Sequence, residues 1–474
     1  MSRSCRRRLV FGLIAAGAVL LLLGQVAWVG VAIGAGYQAK ILCSGLFVSG
    51  LDQETIEEQD LAPTSILERI LLRGRFSVDV ENRAVEVTAW GIRRVARLRP
   101  DLGSYLEFED APTPSIHLPL TRSRPSADRS RLPWPRGDAD LTEADRVDAR
   151  EAFDLQALRR AVDSMFEKSD PPCTRALLIT HEGRLIHERY APGIDPSTPL
   201  PGWSISKSVI ALLLGILVRQ EGVDLKEAPV LEEWSDEEDP RRAIHLDHLL
   251  RMSSGLKFGE SYADPRSDTL RMLFGSPSAA AVALKSPPRH PPDEVWQYSS
   301  GTTNLLCLFL RRRLKEKDRY LTFPREELFE PIGADSAILE VDQSGGFVGS
   351  SFMYASARDF ARLGQLCLDD GTWQGNRLLP EGWMRYCTTP TKGAPRGEYG
   401  AHFWLNAGNP GDPADRYFRT LPDDVFFMSG YRGQYVLMLP TERLVLVRLG
   451  TSANGLDIEA FVRSVLDSLA KSKK

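Results

Sequence analysis

The sequence predicts an α+β fold, in which an antiparallel β-sheet is flanked by helices and joined to a mostly helical subdomain. "TRALLITHEGRLIHERYAPG" (Thr174–Gly193) alternates as two strands around a turn at Glu182-Gly183. Three more strand-like runs, "DVFFMSG", "QYVLMLP" and "RLVLVRLG", stand near the C-terminus. Because helical patterns fill the sequence between these two regions, we expect one sheet built from both ends of the domain.

Helical spacing predicts the helices that flank the sheet. "LQALRRAVDSMF" precedes the first hairpin, and "DIEAFVRSVLDSLA" closes the domain. The apolar run after Ser204 predicts a buried helix, and "ASARDFARLGQLCLDDGTW" (Ala355–Trp373) predicts an amphipathic helix that ends at Gly371. Nearer the N-terminus, "FSVDVENRAVEVTAW" (Phe76–Trp90) predicts a strand pair around Glu81-Asn82.

The N-terminus carries a candidate membrane anchor. Residues 9–36 are almost wholly apolar, with Gln25 as the only strongly polar side chain, and they are long enough to span a bilayer. The arginines of residues 1–8 predict a cytoplasmic basic tail, so we expect a single-pass protein of the inner (cytoplasmic) membrane with its main domain on the periplasmic or extracytoplasmic side. A cleaved signal peptide, cut near "AIGAG", is the alternative, although its apolar core is usually about 7–15 residues long.

Composition divides the rest of the chain into three parts. Residues 37–109 are a mixed segment that we expect to form an N-terminal extension packed on the main domain. Residues 110–150 are rich in Pro, Arg, Ser and Asp, which predicts a linker or an extended strap. Residues 151–474 hold the main domain.

Charge and cysteine content exclude several classes of function. The net charge of −4 gives no basic field for nucleic acid. No Cys-x-x-Cys pair indicates a redox or metal site, and we predict neither a metal nor a cofactor. Cys307 and Cys367 lie in apolar helical patterns typical of buried thiols. A disulfide between Cys43 and Cys173 stays open, because sequence does not decide connectivity.

The strongest chemical signal is "PGWSISKSVIALLLGIL" (Pro201–Leu217). Ser-x-x-Lys occurs readily by chance, but of the three matches in this chain only Ser204–Lys207 opens an apolar helix. Residues three apart on a helix share one face, and burial lowers the pKa of an amine from about 10.4 until it can accept a proton. The pair suits a serine nucleophile and its base, with the helix N-terminus as an oxyanion donor. An N-cap serine beside a lysine that reaches solvent is the alternative.

Two other enzyme patterns fit less well. "GWSIS" lacks the last glycine of the nucleophile elbow of α/β-hydrolases, and His402 is the only late histidine. "AIHLDH" lacks the first histidine of a zinc motif, and no later His or Cys cluster completes a site. We therefore interpret His245 and His248 as ordinary helix residues.

Two further stretches offer partners for the serine. Tyr298 stands in "VWQYSSGTTNLLCLFL", just before another apolar helix, and a tyrosine near a lysine can carry a proton between nucleophile and leaving group. In "FFMSGYRGQYVLMLP", glycines between two strands let the backbone approach a ligand, where an N–H can donate to an oxyanion. A buried core aromatic and a plain hairpin turn are the respective alternatives.

In this order, over about residues 154–470, these stretches resemble the serine β-lactamase-like and penicillin-binding superfamily. They are most similar to its branch of class C β-lactamases, related esterases and 6-aminohexanoate-dimer hydrolase. Ser204-Ile205-Ser206-Lys207 matches the first family motif, and Tyr298-Ser299-Ser300 matches the second. "HLDHLLRMSSGL" and "ASARDFARLGQL" are also typical of this branch, and "SGYRGQ" resembles its 6-aminohexanoate-dimer hydrolase side.

The resemblance implies a serine hydrolase that cleaves a small amide or ester through an acyl-enzyme. Ser204 would be the nucleophile, Lys207 the general base and Tyr298 the group that assists proton transfer. The substrate and its oxyanion would lie against a turn made by Ser429, Gly430, Tyr431, Gly433 and Gln434.

Two departures from the family pattern restrict the expected class of substrate. The third motif usually begins with Lys or His, but Met428 stands there, so the cation that meets a β-lactam carboxylate is absent. Asn is also absent two residues after Tyr298, and Asn304 lies farther on. Both departures favour a less anionic amide or ester over the substrates of a β-lactamase or a D-alanyl-D-alanine carboxypeptidase or esterase. A non-catalytic sensor on the same fold is an alternative of a different class.

Overall fold

The computed structural model of the chain describes residues 3–63, 74–116, 131–139, 147, 151–167, 174–412, 414–452 and 456–470. The helices are α1 (Arg3–Ser44), α2 (Gln53–Thr55), α3 (Leu155–Glu167), α4 (Ile205–Glu221), α5 (Leu246–Leu250), α6 (Asp268–Phe274), α7 (Ala279–Leu284), α8 (Ser300–Arg313), α9 (Lys317–Pro324), α10 (Glu330–Ile332), α11 (Ala357–Leu368), α12 (Trp383–Cys387) and α13 (Ile458–Ser468). The strands are β1 (Arg75–Asp79), β2 (Ala84–Ala89), β3 (Ile92–Arg99), β4 (Gly103–Glu107), β5 (Thr174–His181), β6 (Arg184–Tyr190), β7 (Leu200–Pro201), β8 (Ile338–Leu339), β9 (Met353–Ala355), β10 (Thr372–Trp373), β11 (Asn376–Arg377), β12 (Trp404–Leu405), β13 (Phe426–Gly430), β14 (Gln434–Leu439) and β15 (Leu444–Gly450).

A six-stranded antiparallel sheet, in the order β12-β13-β14-β15-β5-β6, forms the centre of the main domain. The pairing of β15 with β5 joins the C-terminal strands to the first hairpin, so the predicted sheet built from both ends is confirmed. The hairpin turns at Glu182-Gly183, whose φ angles of 49° and 75° are those of a tight type I′ turn.

Alternate residues of β5 point to opposite faces of this sheet, and each face has its own helices. Leu177 lies in a hydrophobic cluster with α3 and α13. Leu178 lies in a second, larger cluster with α4 and α11, into which the helices of the mostly helical subdomain also pack. The predicted α+β architecture is therefore confirmed, and α4 is buried between the sheet and the helical subdomain.

The helix predicted over Ala355–Trp373 is shorter than expected. Ala355 ends strand β9, and the Ser356 side chain caps α11 by accepting a hydrogen bond from the Asp359 N–H (3.2 Å). The helix stops at Leu368, and Gly371 lies in the turn beyond it with a φ of 74°. A polar cap and a left-handed glycine therefore decide both ends, whereas periodicity alone extends the helix too far.

The N-terminal extension folds as a second antiparallel sheet, in the order β1-β2-β3-β4, packed on α1. Its first hairpin confirms the strand pair predicted over Phe76–Trp90. Only part of the predicted strap lies within the described residues. There Trp134 is buried, and Arg362 of the main domain donates hydrogen bonds to the carbonyl oxygens of Pro135 (3.1 Å) and Gly137 (2.7 Å).

The C-terminal part of helix α1 lies inside the fold. It runs without a break through the predicted boundary at residue 36, and nearly every residue from Gly30 to Ser44 is buried. Among the described residues, Gly24–Ser49 has the length and apolar composition of a membrane span, with 72% of its most apolar window buried. Gly36 packs so closely on α6 that a Cβ there would lie 2.8 Å from the Phe274 carbonyl oxygen.

A buried ion pair fixes the inner half of α1 to the main domain. The Lys40 ammonium forms a salt bridge with Glu340, and the two side chains are 2% and 0% exposed. Lys40 Nζ also donates to Ser44 Oγ (3.0 Å), while Glu340 accepts hydrogen bonds from Ser44 Oγ (2.8 Å) and the Ser104 N–H (2.7 Å). Because both charges are buried and hydrogen-bonded, the pair defines one position of α1 against the domain.

Four cysteines, Cys43, Cys307, Cys367 and Cys387, are buried free thiols. Cys307 and Cys367 are buried, as predicted, and Cys387 joins them. Cys43 is also a buried free thiol, whose Sγ lies 3.9 Å from the Arg83 carbonyl oxygen. Cys173, its candidate disulfide partner, lies outside the described residues.

Removing one member of the buried ion pair should destabilise the protein strongly. Lys40→Met leaves the Glu340 carboxylate buried without its cation, and we expect a loss of about 3–5 kcal/mol in the free energy of unfolding. The double variant Lys40→Met/Glu340→Leu removes both charges, so it should be clearly more stable than Lys40→Met. Thermal unfolding of the full chain in detergent, followed by circular dichroism, measures both. Equal stability of the single and double variants would contradict the coupling.

Candidate active site

Ser204 lies at the turn between β7 and α4. Trp203, just before it, has a φ of 49°, a strained conformation of the kind that clusters at functional sites. Ser204 occupies the N-cap position of α4, but its side chain makes no capping hydrogen bond. The structure therefore does not support the alternative of a purely capping serine, and the hydroxyl is available to other partners.

Lys207 lies one helical turn further on and points back at the serine. Its Nζ donates hydrogen bonds to Ser204 Oγ (2.9 Å) and to the Ser350 carbonyl oxygen (2.7 Å). The residue is 1% exposed, so the amine does not reach solvent as the alternative requires. Burial lowers the pKa of Lys207 from 10.5 to about 8, although the Glu260 carboxylate acts in the opposite direction. A neutral amine is therefore accessible close to physiological pH.

Tyr298 completes a group of three side chains. Its hydroxyl lies near the Ser204 side chain, which opposes the rise of the Tyr298 pKa, and the Lys207 Nζ lies 5.0 Å from its ring centroid. The ring stacks on Trp404 with centroids 5.4 Å apart and meets Tyr399 edge to face at 5.8 Å. Burial raises the pKa of Tyr298 well above its usual value, so the hydroxyl keeps its proton. The ring packs as a core aromatic, while its hydroxyl faces the serine.

The end of strand β13 lies beside the serine loop. A Cβ at Gly430 would lie 2.1 Å from the Gly202 carbonyl oxygen, so only glycine permits this approach. The next residue, Tyr431, packs its ring edge to face on Trp203 with centroids 5.3 Å apart and stacks on Tyr262 at 5.4 Å. Gly430 and Tyr431 are thus the predicted turn residues that the structure brings to the serine.

The other predicted turn residues hold the turn itself. Ser429 lies directly opposite Tyr435 on the neighbouring strand β14. The Gln434 side chain donates to the Gly450 carbonyl oxygen (2.5 Å) and accepts from its N–H (2.9 Å). Gly433 has a φ of 81°, which favours glycine.

The two departures from the family pattern have structural counterparts. Met428 is fully buried within β13, so no charge faces the site from the first position of the third motif. Asn304 is buried in α8, where its Nδ2 donates to Ser350 Oγ (3.0 Å). Since the Ser350 carbonyl accepts a hydrogen bond from Lys207, Asn304 supports the wall behind the lysine and does not contact the serine.

The sequence gives no sign of the contact between the extension and the turn. The Arg432 guanidinium donates to the carbonyl oxygens of Gln59 (2.6 Å), Asp60 (2.9 Å) and Ala62 (3.1 Å). The Asp60 carboxylate in turn pairs with Arg175 of β5 at 2.6 Å. The one cation of the turn is therefore used to hold the extension against it.

Glu260 was also missed, because an isolated glutamate in a loop carries no sequence signal. Its carboxylate accepts hydrogen bonds from the Ser300 N–H (2.7 Å), Ser300 Oγ (2.6 Å) and Thr269 Oγ1 (3.0 Å). It raises the pKa values of both Lys207 and Tyr298, which places a negative charge near the group.

The histidines have structural roles. His245 caps α5, and its ring stacks on His248 with centroids 3.4 Å apart, as expected for helix residues. His402 is fully buried, its ring nitrogens hydrogen-bonded to Thr303 Oγ1 (2.9 Å) and the Leu250 carbonyl (2.6 Å), and burial lowers its pKa to about 3. Within the described ranges, no group of three or more His, Cys, Asp or Glu residues could hold a metal ion.

Known proteins share this arrangement of elements. The chain is 24% identical over 323 residues to the 6-aminohexanoate-dimer hydrolase of Paenarthrobacter ureafaciens, with 63% of this chain and 77% of that protein covered. A D-stereospecific amidohydrolase from Streptomyces sp. has a similar fold (TM-score 0.50, 16% identity, 67% of this chain and 100% of that chain covered). A penicillin-binding protein homologue from Caulobacter crescentus does too (TM-score 0.50, 18% identity, 66% and 95% covered).

The family model described as Beta-lactamase matches residues 174–466, which is more than half of the chain. The matched region contains the six-stranded sheet, α4 and the group formed by Ser204, Lys207 and Tyr298. The chain therefore belongs to the Beta-lactamase family and has the serine-hydrolase fold of that family.

Proposed function

We propose that this protein is a serine hydrolase that cleaves a small amide or ester through an acyl-enzyme on Ser204. One observation carries the proposal: the Lys207 amine is buried and lies 2.9 Å from Ser204 Oγ. A nucleophile and a base within hydrogen-bonding distance, with the pKa of the base lowered towards the working pH, are what acyl transfer requires.

The proposed steps follow from this geometry. Neutral Lys207 takes the proton of Ser204 as Oγ attacks the substrate carbonyl, and the carbonyl oxygen becomes an oxyanion. The Ser204 N–H and the Tyr431 N–H, which follows Gly430, are the proposed oxyanion donors. As the carbon–nitrogen or carbon–oxygen bond breaks, the leaving group takes a proton from Lys207 through the Tyr298 hydroxyl. Water then attacks the acyl-enzyme while Lys207 accepts its proton, and Lys207 returns that proton to Ser204 Oγ as the bond to Ser204 breaks and the acid is released.

The walls of the site favour a substrate without a carboxylate. Two groups of packed aromatic rings lie next to the serine loop and Tyr298: Trp203 packs on Tyr431, which stacks on Tyr262, and Tyr298 packs on Tyr399 and Trp404. The family cation is replaced by buried Met428, and Glu260 adds negative charge. Such a site suits a neutral or cationic amide or ester better than an anionic β-lactam. The similarity to a 6-aminohexanoate-dimer hydrolase supports cleavage of an amide bond.

Replacing the serine should abolish turnover. We expect Ser204→Ala to lower kcat/KM for aryl esters and short linear amides by about 10³-fold or more, because the covalent step is lost. A fluorophosphonate probe followed by intact-mass analysis should modify the wild type and leave the variant unmodified. Ser254→Ala, in a Ser-x-x-Lys match outside α4, is the control and should keep both activity and the adduct. A well-folded wild type without an adduct on Ser204 would favour the sensor instead.

The lowered pKa of Lys207 sets the expected pH dependence. The amine must be neutral to accept the Ser204 proton, so kcat/KM for an ester should rise with pH and level off above a midpoint of about 8. Lys207→Arg places a group that stays protonated at the same position, and it should be inactive at every pH. A wild-type rate that does not change across the midpoint would rule out Lys207 as the base.

The contact between Arg432 and the extension should position the oxyanion turn. We expect Arg432→Ala to lower kcat about 10- to 100-fold, since small displacements of a catalytic group have effects of this size. KM should change less, because the donor acts mainly in the transition state. Arg463→Ala, an exposed arginine on α13, is the matched control and should keep the wild-type kcat. If activity falls only in proportion to the unfolded fraction, Arg432 has a purely structural role.

A further inference from the structure

Two tryptophans stand out on the surface of the protein. Trp28 is 59% exposed and Trp90 is 64% exposed. Trp28 lies on α1, and Trp90 lies in the turn between β2 and β3. A single exposed aromatic needs no special explanation, so the relative position of the two residues decides whether they form one surface.

Both tryptophans lie at the same level along α1. Trp28, Ile92 and Arg93 line one cavity of about 570 Å³, which places the start of β3, two residues after Trp90, beside Trp28. At the other end of β2, the Arg83 carbonyl lies close to Cys43 Sγ. Residues 28 and 43 are about 22 Å apart along a helix, which is close to the length of β2 with its turns. Strand β2 therefore runs along α1, and the end of β2 that leads into Trp90 lies towards the N-terminus of α1.

The sequence of α1 relates this level to a bilayer. The 19 residues from Leu9 to Ala27 are apolar except for Gln25, and as a helix they extend about 29 Å, close to the hydrocarbon thickness of a membrane. Trp28 follows at once, and burial within the fold begins at Gly30. Tryptophan is enriched at the boundary between hydrocarbon and water, because its ring is apolar and its N–H is polar.

We propose that the bilayer span is Leu9–Ala27, and that Trp28 and Trp90 together rest in the headgroup region of the same membrane. The partner of this surface is thus the phospholipid bilayer. The span is shorter than the predicted residues 9–36, because the last part of that stretch is a core helix of the fold. Cleavage at "AIGAG" would cut within this packed helix beside Gly36, so the helix is retained.

Site-specific fluorescence tests the position of the surface. The full chain, with Cys5 and Cys173 replaced by serine, would carry one new cysteine as Trp28→Cys, Trp90→Cys or Val80→Cys. Val80 is 72% exposed at the opposite end of the β1–β2 hairpin, so it is the matched control. Each variant is labelled with an environment-sensitive fluorophore and reconstituted into vesicles of phosphatidylethanolamine and phosphatidylglycerol.

The fluorophores at residues 28 and 90 should respond to the two quenchers in the opposite way from the fluorophore at residue 80. A headgroup nitroxide lipid should quench the fluorophores at residues 28 and 90 several-fold more than the fluorophore at residue 80, and aqueous iodide should show the reverse order. Iodide quenching at residue 90 equal to that at residue 80, without quenching by the nitroxide lipid, would overturn the proposal. Failure of the protein to float with the vesicles would also overturn it. Ester hydrolysis, measured separately, is independent of either result.

Discussion

The site depends on the burial of a single amine. A lysine in water keeps its proton at neutral pH, and a protonated amine cannot act as a base. The pKa of Lys207 is lower, because α4 is surrounded by the sheet and the helical subdomain and the amine is buried. The amine needs some polar contact to tolerate that position, and the Ser350 carbonyl and Ser204 hydroxyl supply it. The apolar run of α4 therefore contributes to the proposed chemistry, because its burial lowers the pKa of Lys207.

The rest of the fold brings distant segments to this amine. Pairing of β15 with β5 closes the central sheet, and the end of β13 then meets the loop before α4. The close approach of Gly430 to Gly202 shows why a side chain is excluded from that strand end. On the outer side, the carbonyls of the extension hold Arg432, so the turn is fixed from both directions. The inner half of α1 belongs to the same packed unit through Lys40 and Glu340.

Local patterns were enough to predict much of this arrangement. Strand-like patterns identified β1 and β2 of the extension and every strand of the six-stranded sheet except β12, and an apolar helix behind Ser204 distinguished one Ser-x-x-Lys match from two others. The boundaries were less accurate, because the cap at Ser356 and the conformation of Gly371 act against helical periodicity. The contacts of Arg432 and of Lys40 could not be predicted at all. Each joins residues more than two hundred positions apart, and neither leaves a pattern in its own neighbourhood.

The hydrogen bonds between Arg432 and the extension also determine when the turn can be completed during synthesis. The two partners, Gln59 and Arg432, are separated by 373 residues. Closing so long a loop costs entropy, and non-local contacts of this kind form slowly. Ribosomes synthesise the extension first and the turn near the end, so the wall of the site is assembled only when nearly the whole chain is available. A chain truncated before Arg432 therefore lacks the contact that holds the extension against the turn.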